Sequence, residues 1–133
     1  SNMTLSNPSS GACVFDTSSD YRLKKDETAI PNALTTVKAL KPYQYTWKHS
    51  NELGQGFFAH EAQAVLPDIG VVSGTKDGVY TEDDAEKGQW KKDDPIYQGI
   101  DYSKLVPLLT AALQEATTKI ETLETKVAAL ESS

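Results

Sequence analysis

The chain reads as an α+β protein: a small mixed helix and strand body, an extended charged arm, and a long C-terminal helix that pairs with copies of itself. Three observations predict this. The middle of the sequence switches between helical and alternating apolar spacing over short segments. Within residues 73–98, the run from Glu82 to Asp94 is heavily charged, with almost no apolar anchor except Trp90. From Val106 onward, apolar residues recur in steps of three and four over more than three heptads.

A length of 133 residues is most simply one domain, since domains average ~100–200 residues. The chain is 38% hydrophobic and 24% charged, slightly poor in apolar residues, as a thin core and a long exposed helix would make it. Its net charge of −6 argues against binding a phosphate backbone, which needs a basic surface. No run approaches the ~20 apolar residues of a membrane span, and no basic-then-apolar signal opens the sequence. The lone Cys13 can form no internal disulfide, and Cys/His spacing for a metal is absent. No nucleic acid, membrane, metal or cofactor is therefore expected.

Taken in order, Ser1-Asn2 before Met3 reads as the remnant of a cleaved tag. Met3–Thr17 reads as loop with one short strand near Ala12–Phe15. Next comes Ser19-Asp20-Tyr21-Arg22-Leu23-Lys24, which holds a hydroxyl and an amine five residues apart with an acid and a guanidinium between them. Residues five apart point to opposite faces of a strand and lie ~140° apart on a helix. Only a bend, or neighbouring chains, would bring Ser19 and Lys24 together. Spacing alone does not separate this pair from ordinary surface residues.

Asp26–Leu40 reads as a helix, with Pro31 in its first turn, Asn32 as a possible cap, and Ala33, Leu34, Val37 and Leu40 on one face. Lys41-Pro42 ends it. Tyr43–Trp47 alternates aromatic and polar residues as a half-buried strand does, and His49–Asn51 marks a turn. Phe57-Phe58-Ala59 reads as a short strand continuing into a helix to Leu66, with His60 and Glu61 where the two meet. A histidine in such a place is more often a hydrogen-bonded structural residue than a catalyst. Ile69–Val72 reads as a further strand, and Thr75–Gly78 as a hairpin turn of the Asp-Gly type. Beyond it, Glu82 to Asp94 carries mostly charge around Trp90, a solvated loop or a reaching arm.

A short strand at 96–102 leads into the last helix, with Asp101 or Ser103 as its cap and Pro107 tolerated in its first turn. With Val106 at position a, the residues Val106, Leu109, Leu113, Ala116, Ile120, Leu123, Val127 and Leu130 run a, d, a, d throughout. Lys119 and Lys126 are then g positions, and Glu124 and Glu131 the e positions they meet on a parallel neighbour. The pattern specifies a parallel homo-oligomer. Its order stays open, because Ile120, Leu123 and Val127 follow the rule for two strands.

Four segments carry a wider likeness: SDYRLK at 19–24, ALTTVKALKPYQYTWK at 33–48, GFFAHEAQAVLP at 56–67 and DYSKLVPLLTAALQEA at 101–116. Together they resemble the C-terminal intramolecular chaperone auto-processing domains of phage tail spikes and tail fibres. This is the endosialidase-type chaperone or peptidase S74 family, found also in self-cleaving, membrane-tethered transcription factors of animals. The resemblance implies a homotrimer that assists folding of an upstream spike or fibre domain of the same polypeptide. The chaperone then releases itself, in the host cytoplasm during virion assembly. It implies Ser19 as nucleophile, Lys24 as base and Ser18–Ser19 as the scissile bond. Asp20 and Arg22 would hold the bend. His60 and Glu61 match a G-F-x-A-Q-E segment in which this chain has His for Gln. On this basis residues 1–18 are tag remnant and the end of the spike segment, and 19–133 are the chaperone. Within the chaperone, 73–98 is the arm that grasps the fibre and 102–131 the coiled-coil helix.

The implied chemistry is a single-turnover serine endopeptidase with a Ser-Lys dyad. At lysine's reference pKa of ~10.4, about one side chain in 2,500 is neutral at pH 7, so burial on assembly is the expected activator. The competing reading is a non-cleaving coiled-coil assembly module with a vestigial Ser/Lys pair. A Ser/Lys protease acting on other substrates would need an open cleft and ranks last.

Overall fold

The computed structural model describes the backbone of residues 3–6 and 14–133, and the side chains of residues 18–133. Its elements mix helix and strand, with a long C-terminal helix, so the chain is α+β. Strands β1 (Met3–Ser6) and β2 (Val14–Thr17) form an antiparallel hairpin, pairing Met3 with Thr17 and Ser6 with Val14. The strand expected at Ala12–Phe15 thus starts at Val14 among the described residues, and it has a partner that the sequence did not suggest.

Helix α1 spans Ala33–Ala39, not Asp26–Leu40. The reason lies in the backbone: Asp26 and Asn32 both adopt positive φ, 56° and 54°, which a right-handed helix cannot pass through. Asn32 therefore gives no side-chain cap, although its carbonyl accepts from the Thr36 amide at 3.0 Å. Leu40 is already extended when the chain reaches Lys41-Pro42.

Strands β3 (Tyr43–Thr46) and β4 (Leu53–Gly56) make the second hairpin, in register Tyr43–Gly56 through Thr46–Leu53. Asn51, at φ 59°, turns the connecting loop, and the Trp47 amide donates to the Glu52 carbonyl at 2.8 Å. Glycine is favoured at 54, where a Cβ would lie 2.7 Å from Cε2 of Tyr45 and force that ring to shift.

The strand expected at Phe57–Ala59 does not form. β4 ends at Gly56, the Phe57 amide donates to the Tyr102 hydroxyl at 3.2 Å, and Phe58 is the N-cap of helix α2 (Ala59–Val65). Likewise, of the strand expected at Ile69–Val72 only Val72 is strand, as the first residue of β5 (Val72–Ser73), since Gly70 turns the chain at φ 64°. β5 pairs antiparallel with β6 (Gly99–Ile100), so the chain leaves and re-enters the body at adjacent points.

Between those points, residues 74–98 contain no strand, only a bridge between Val79 and Pro95. The segment is nevertheless folded locally. Tyr80 and Trp90 stack with centroids 4.6 Å apart, and the Asp84 carboxylate accepts from the amides of Glu86, Lys87 and Gln89, each at 3.1 Å. Those amides hold Asp84 below the usual carboxylate range. A stalk of backbone bonds and one aromatic pair thus replaces the apolar core that the composition denies it.

A 3-10 turn at Tyr102–Leu105, capped by the Asp101 carboxylate on the Ser103 amide at 3.1 Å, precedes helix α3 (Val106–Glu131). Asp101 thus caps the turn, and Pro107 sits in the first turn of α3 itself. The buried core is small: Ala33, Leu40, Ala62, Val71, Leu105, Leu108 and Ala112, with Val71 the largest fully buried side chain. α1 packs on the first half of α3, whose residues Leu105, Leu108 and Ala112 face the body. The large a and d residues lie on the other side and stay exposed, from Val106 at 60% to Leu130 at 74%, with Ala116 among them partly buried. From residue 117 to the end, every residue of the helix is exposed.

Candidate active site at Ser19 and Lys24

The bend that Ser19 and Lys24 require is a 3-10 turn at Tyr21–Leu23. Leu23 and Lys24 donate their amides back to the carbonyls of Asp20 and Tyr21, at 3.0 and 3.1 Å. Asp20 and Lys24 are extended on either side, so the chain doubles back over one short turn. Lys24 Nζ reaches Ser19 Oγ at 2.6 Å.

Asp20 locks this turn. Its Oδ1 accepts from both the backbone N and the Nε of Arg22, and its Oδ2 accepts from Nη2, all at 2.9 Å. The first bond is an N-cap; the other two form the paired contact a planar guanidinium makes with a carboxylate. The Arg22 guanidinium, and then its backbone amide, hold Asp20 below the ordinary carboxyl value, while Asp20 raises Arg22. Acid and guanidinium are thus satisfied by each other, leaving the amine free for the serine.

The arrangement is open to solvent. The Ser19–Lys24 bond is exposed, and Tyr21 and Leu23 beside it are 83% and 72% exposed. A hydroxyl accepting from an ammonium is poised for proton transfer only once that amine is neutral.

His60 and Glu61 occupy the first turn of α2, and neither hydrogen-bonds to Ser19 or Lys24 among the described residues. His60 stacks on Phe58 at 6.2 Å, which in turn meets Tyr43 at 5.0 Å. Glu61 Oε2 accepts from Lys41 Nζ and the Tyr43 hydroxyl, both at 3.4 Å. Glu61 Oε1 is buried with no donor among the described residues. Burial, and then Glu61, push the Tyr43 hydroxyl up from its ordinary value. These contacts belong to the join of β3 and α2. Sequence reading singled out His60 and Glu61 but not Lys41 or Tyr43, because nothing in one chain's spacing announces a contact made 20 residues away. Among the described residues, no group of three or more His, Cys, Asp or Glu is placed to hold a metal, and no helix is long and apolar enough to cross a membrane.

The stretch that opens at this dyad has a known counterpart. Residues 19–71 match the family model of peptidase S74, the chaperone of endosialidase. Over that stretch the chain is similar to this family. The match begins at Ser19 and runs through α1, the β3–β4 hairpin and α2 to Val71. No curated protein matches the chain.

Proposed function

We propose that this chain is an intramolecular chaperone that trimerises, assists folding of an upstream spike or fibre domain, and then cuts itself off before Ser19. The observation that carries the reading is the 2.6 Å contact between Lys24 Nζ and Ser19 Oγ, at the first residue of the endosialidase-chaperone match.

In this mechanism Ser19 Oγ attacks the carbonyl carbon of Ser18 and gives its proton to neutral Lys24. The Ser18–Ser19 amide bond breaks, and the departing Ser19 nitrogen takes that proton from Lys24. An ester between the Ser18 carbonyl and Ser19 Oγ remains. Water then hydrolyses it to a Ser18 carboxylate and a free Ser19 hydroxyl. Nucleophile and electrophile belong to adjacent residues, and oriented intramolecular reactions reach effective molarities of ~10⁵ M and beyond. Asp20 and Arg22 hold the turn.

Assembly supplies what the exposed dyad lacks. The a/d stripe of α3 is the seat for two further copies, with Lys119 and Lys126 meeting Glu124 and Glu131 of neighbours in parallel register. Burial of Lys24 against a neighbouring copy disfavours its charged form and frees the base. The arm at 73–98 then grips the upstream fibre domain, and cutting releases that grip, in the host cytoplasm during virion assembly. The second reading, a coiled-coil assembly module that never cleaves, is favoured by the exposure of the dyad.

Intact mass separates the two. Parent chain, Ser19→Ala and Lys24→Met are compared after purification. Loss of residues 1–18 from the parent alone supports self-cleavage. Three full-length masses leave the assembly module.

A further inference from the structure

We propose that Glu115 is the positioning residue through which assembly of the coil reaches the body and the dyad segment; this rests on the assembly reading above. Helix α1 has no side-chain cap of its own, because Asn32 is left-handed. Its missing acceptor comes from 81 residues away: Glu115 Oε2 accepts from the Leu34 amide at 3.0 Å, in a partly buried site. An amide at this position is one of the donors that a helix cannot satisfy internally.

Glu115 also stands at a boundary. Toward the N-terminus, Leu105, Leu108 and Ala112 of α3 are buried against the body. Glu115 and Ala116 are partly buried, and every residue after them is exposed. That exposed half has no tertiary packing to hold it, and a helical segment of this length is marginal in water by itself. Fraying of the second half therefore reaches Ala116 and then Glu115 first among the partly buried residues of α3. Pairing of the stripe at Ile120, Leu123 and Val127 stops the fraying and keeps the carboxylate on α1. Lys119, 3.8 Å from Glu115 Oε1 in one chain, is a g residue freed toward a neighbour's Glu124 in the coil.

The consequence reaches the dyad because α1 anchors the loop that leads back to it. Lys24 is followed by the irregular segment 25–32, which ends at the left-handed Asn32 directly before α1. A capped α1 fixes the far end of that segment.

Amide hydrogen exchange at Leu34, read with the sedimentation of each variant, tests this. Exchange in the parent is expected to be about 2- to 30-fold slower than in Glu115→Ala, the range that loss of a helix cap spans. Glu115→Gln, which keeps an oxygen acceptor, restores most of the protection. Leu123→Asp, far from α1, is expected to speed Leu34 exchange as well, and to add nothing further in the Glu115→Ala background. The Leu108 amide reports whether the body stays folded throughout. Leu34 protection that is equal in parent and Leu123→Asp, while sedimentation shows the coil lost, overturns the coupling and leaves assembly standing. A parent that sediments as a single chain defeats the assembly reading and the coupling with it. Equal protection in parent and Glu115→Ala overturns the proposal whatever the oligomeric state.

Discussion

At the scale of single residues, the Asp20–Arg22 pair is the point on which the dyad geometry turns. Both side chains are exposed, so their ion pair alone contributes little to global stability. Its role is local: three bonds on one carboxylate keep a short turn closed. Arg22 depresses the Asp20 pKa, so this contribution is present above the ordinary carboxyl value of 3.8 and is lost as pH falls through the lower, folded value. Carboxyl titration by NMR is expected to find Asp20 below 3.8 in the parent and nearer to 3.8, though still lowered by the backbone amide, in Arg22→Ala. A parent Asp20 that titrates at or above 3.8 would contradict the clamp. Gly54 makes a second, independent case. A Cβ there would lie 2.7 Å from the Tyr45 ring and 3.0 Å from Trp47 Nε1, so Gly54→Ala should cost about 1–3 kcal/mol, read as a lowered Tm.

At the scale of elements, α3 carries two apolar faces with different duties. Leu108 is 5% exposed in the body, whereas Leu113 is 69% exposed on the opposite stripe. Leu108→Ala should destabilise the body by about 2–5 kcal/mol, as large-to-small core changes do. Leu113→Ala should leave the unfolding of an isolated chain nearly unchanged and weaken self-association, read by sedimentation. Equal effects of the two substitutions on body stability would show that the faces are misassigned.

The same helix shows what could be read from sequence and what could not. Its a/d steps were plain, because a long single-period pattern is the strongest signal a sequence carries. The second face, at Leu105, Leu108 and Ala112, was hidden beneath the first. Apolar spacing predicts a longer α1 than the structure has, because it says nothing of the left-handed backbone at Asp26 and Asn32. Phe57 and Phe58 looked like strand because aromatic pairs favour it, but a hydroxyl from Tyr102 took the Phe57 amide. At the site, the need for a bend at Ser19–Lys24 followed from strand and helix geometry. The 3-10 turn that makes it, and the cap that Glu115 lends to Leu34, depend on contacts with no trace in local spacing.

At the scale of the whole molecule, a small body with a largely alanine and leucine core carries an exposed dyad, a locally folded arm and a long apolar stripe. Most of its large apolar side chains are exposed in the single chain. In the proposed mechanism, assembly through α3 activates cleavage before Ser19. The most direct test is the time course of intact mass for the parent and Leu123→Asp, prepared and held under the same conditions. The parent is expected to lose residues 1–18 and leave a chain beginning at Ser19, while Leu123→Asp remains full length. Cleavage of Leu123→Asp at the parent's rate, or a cut at any other bond, would contradict it.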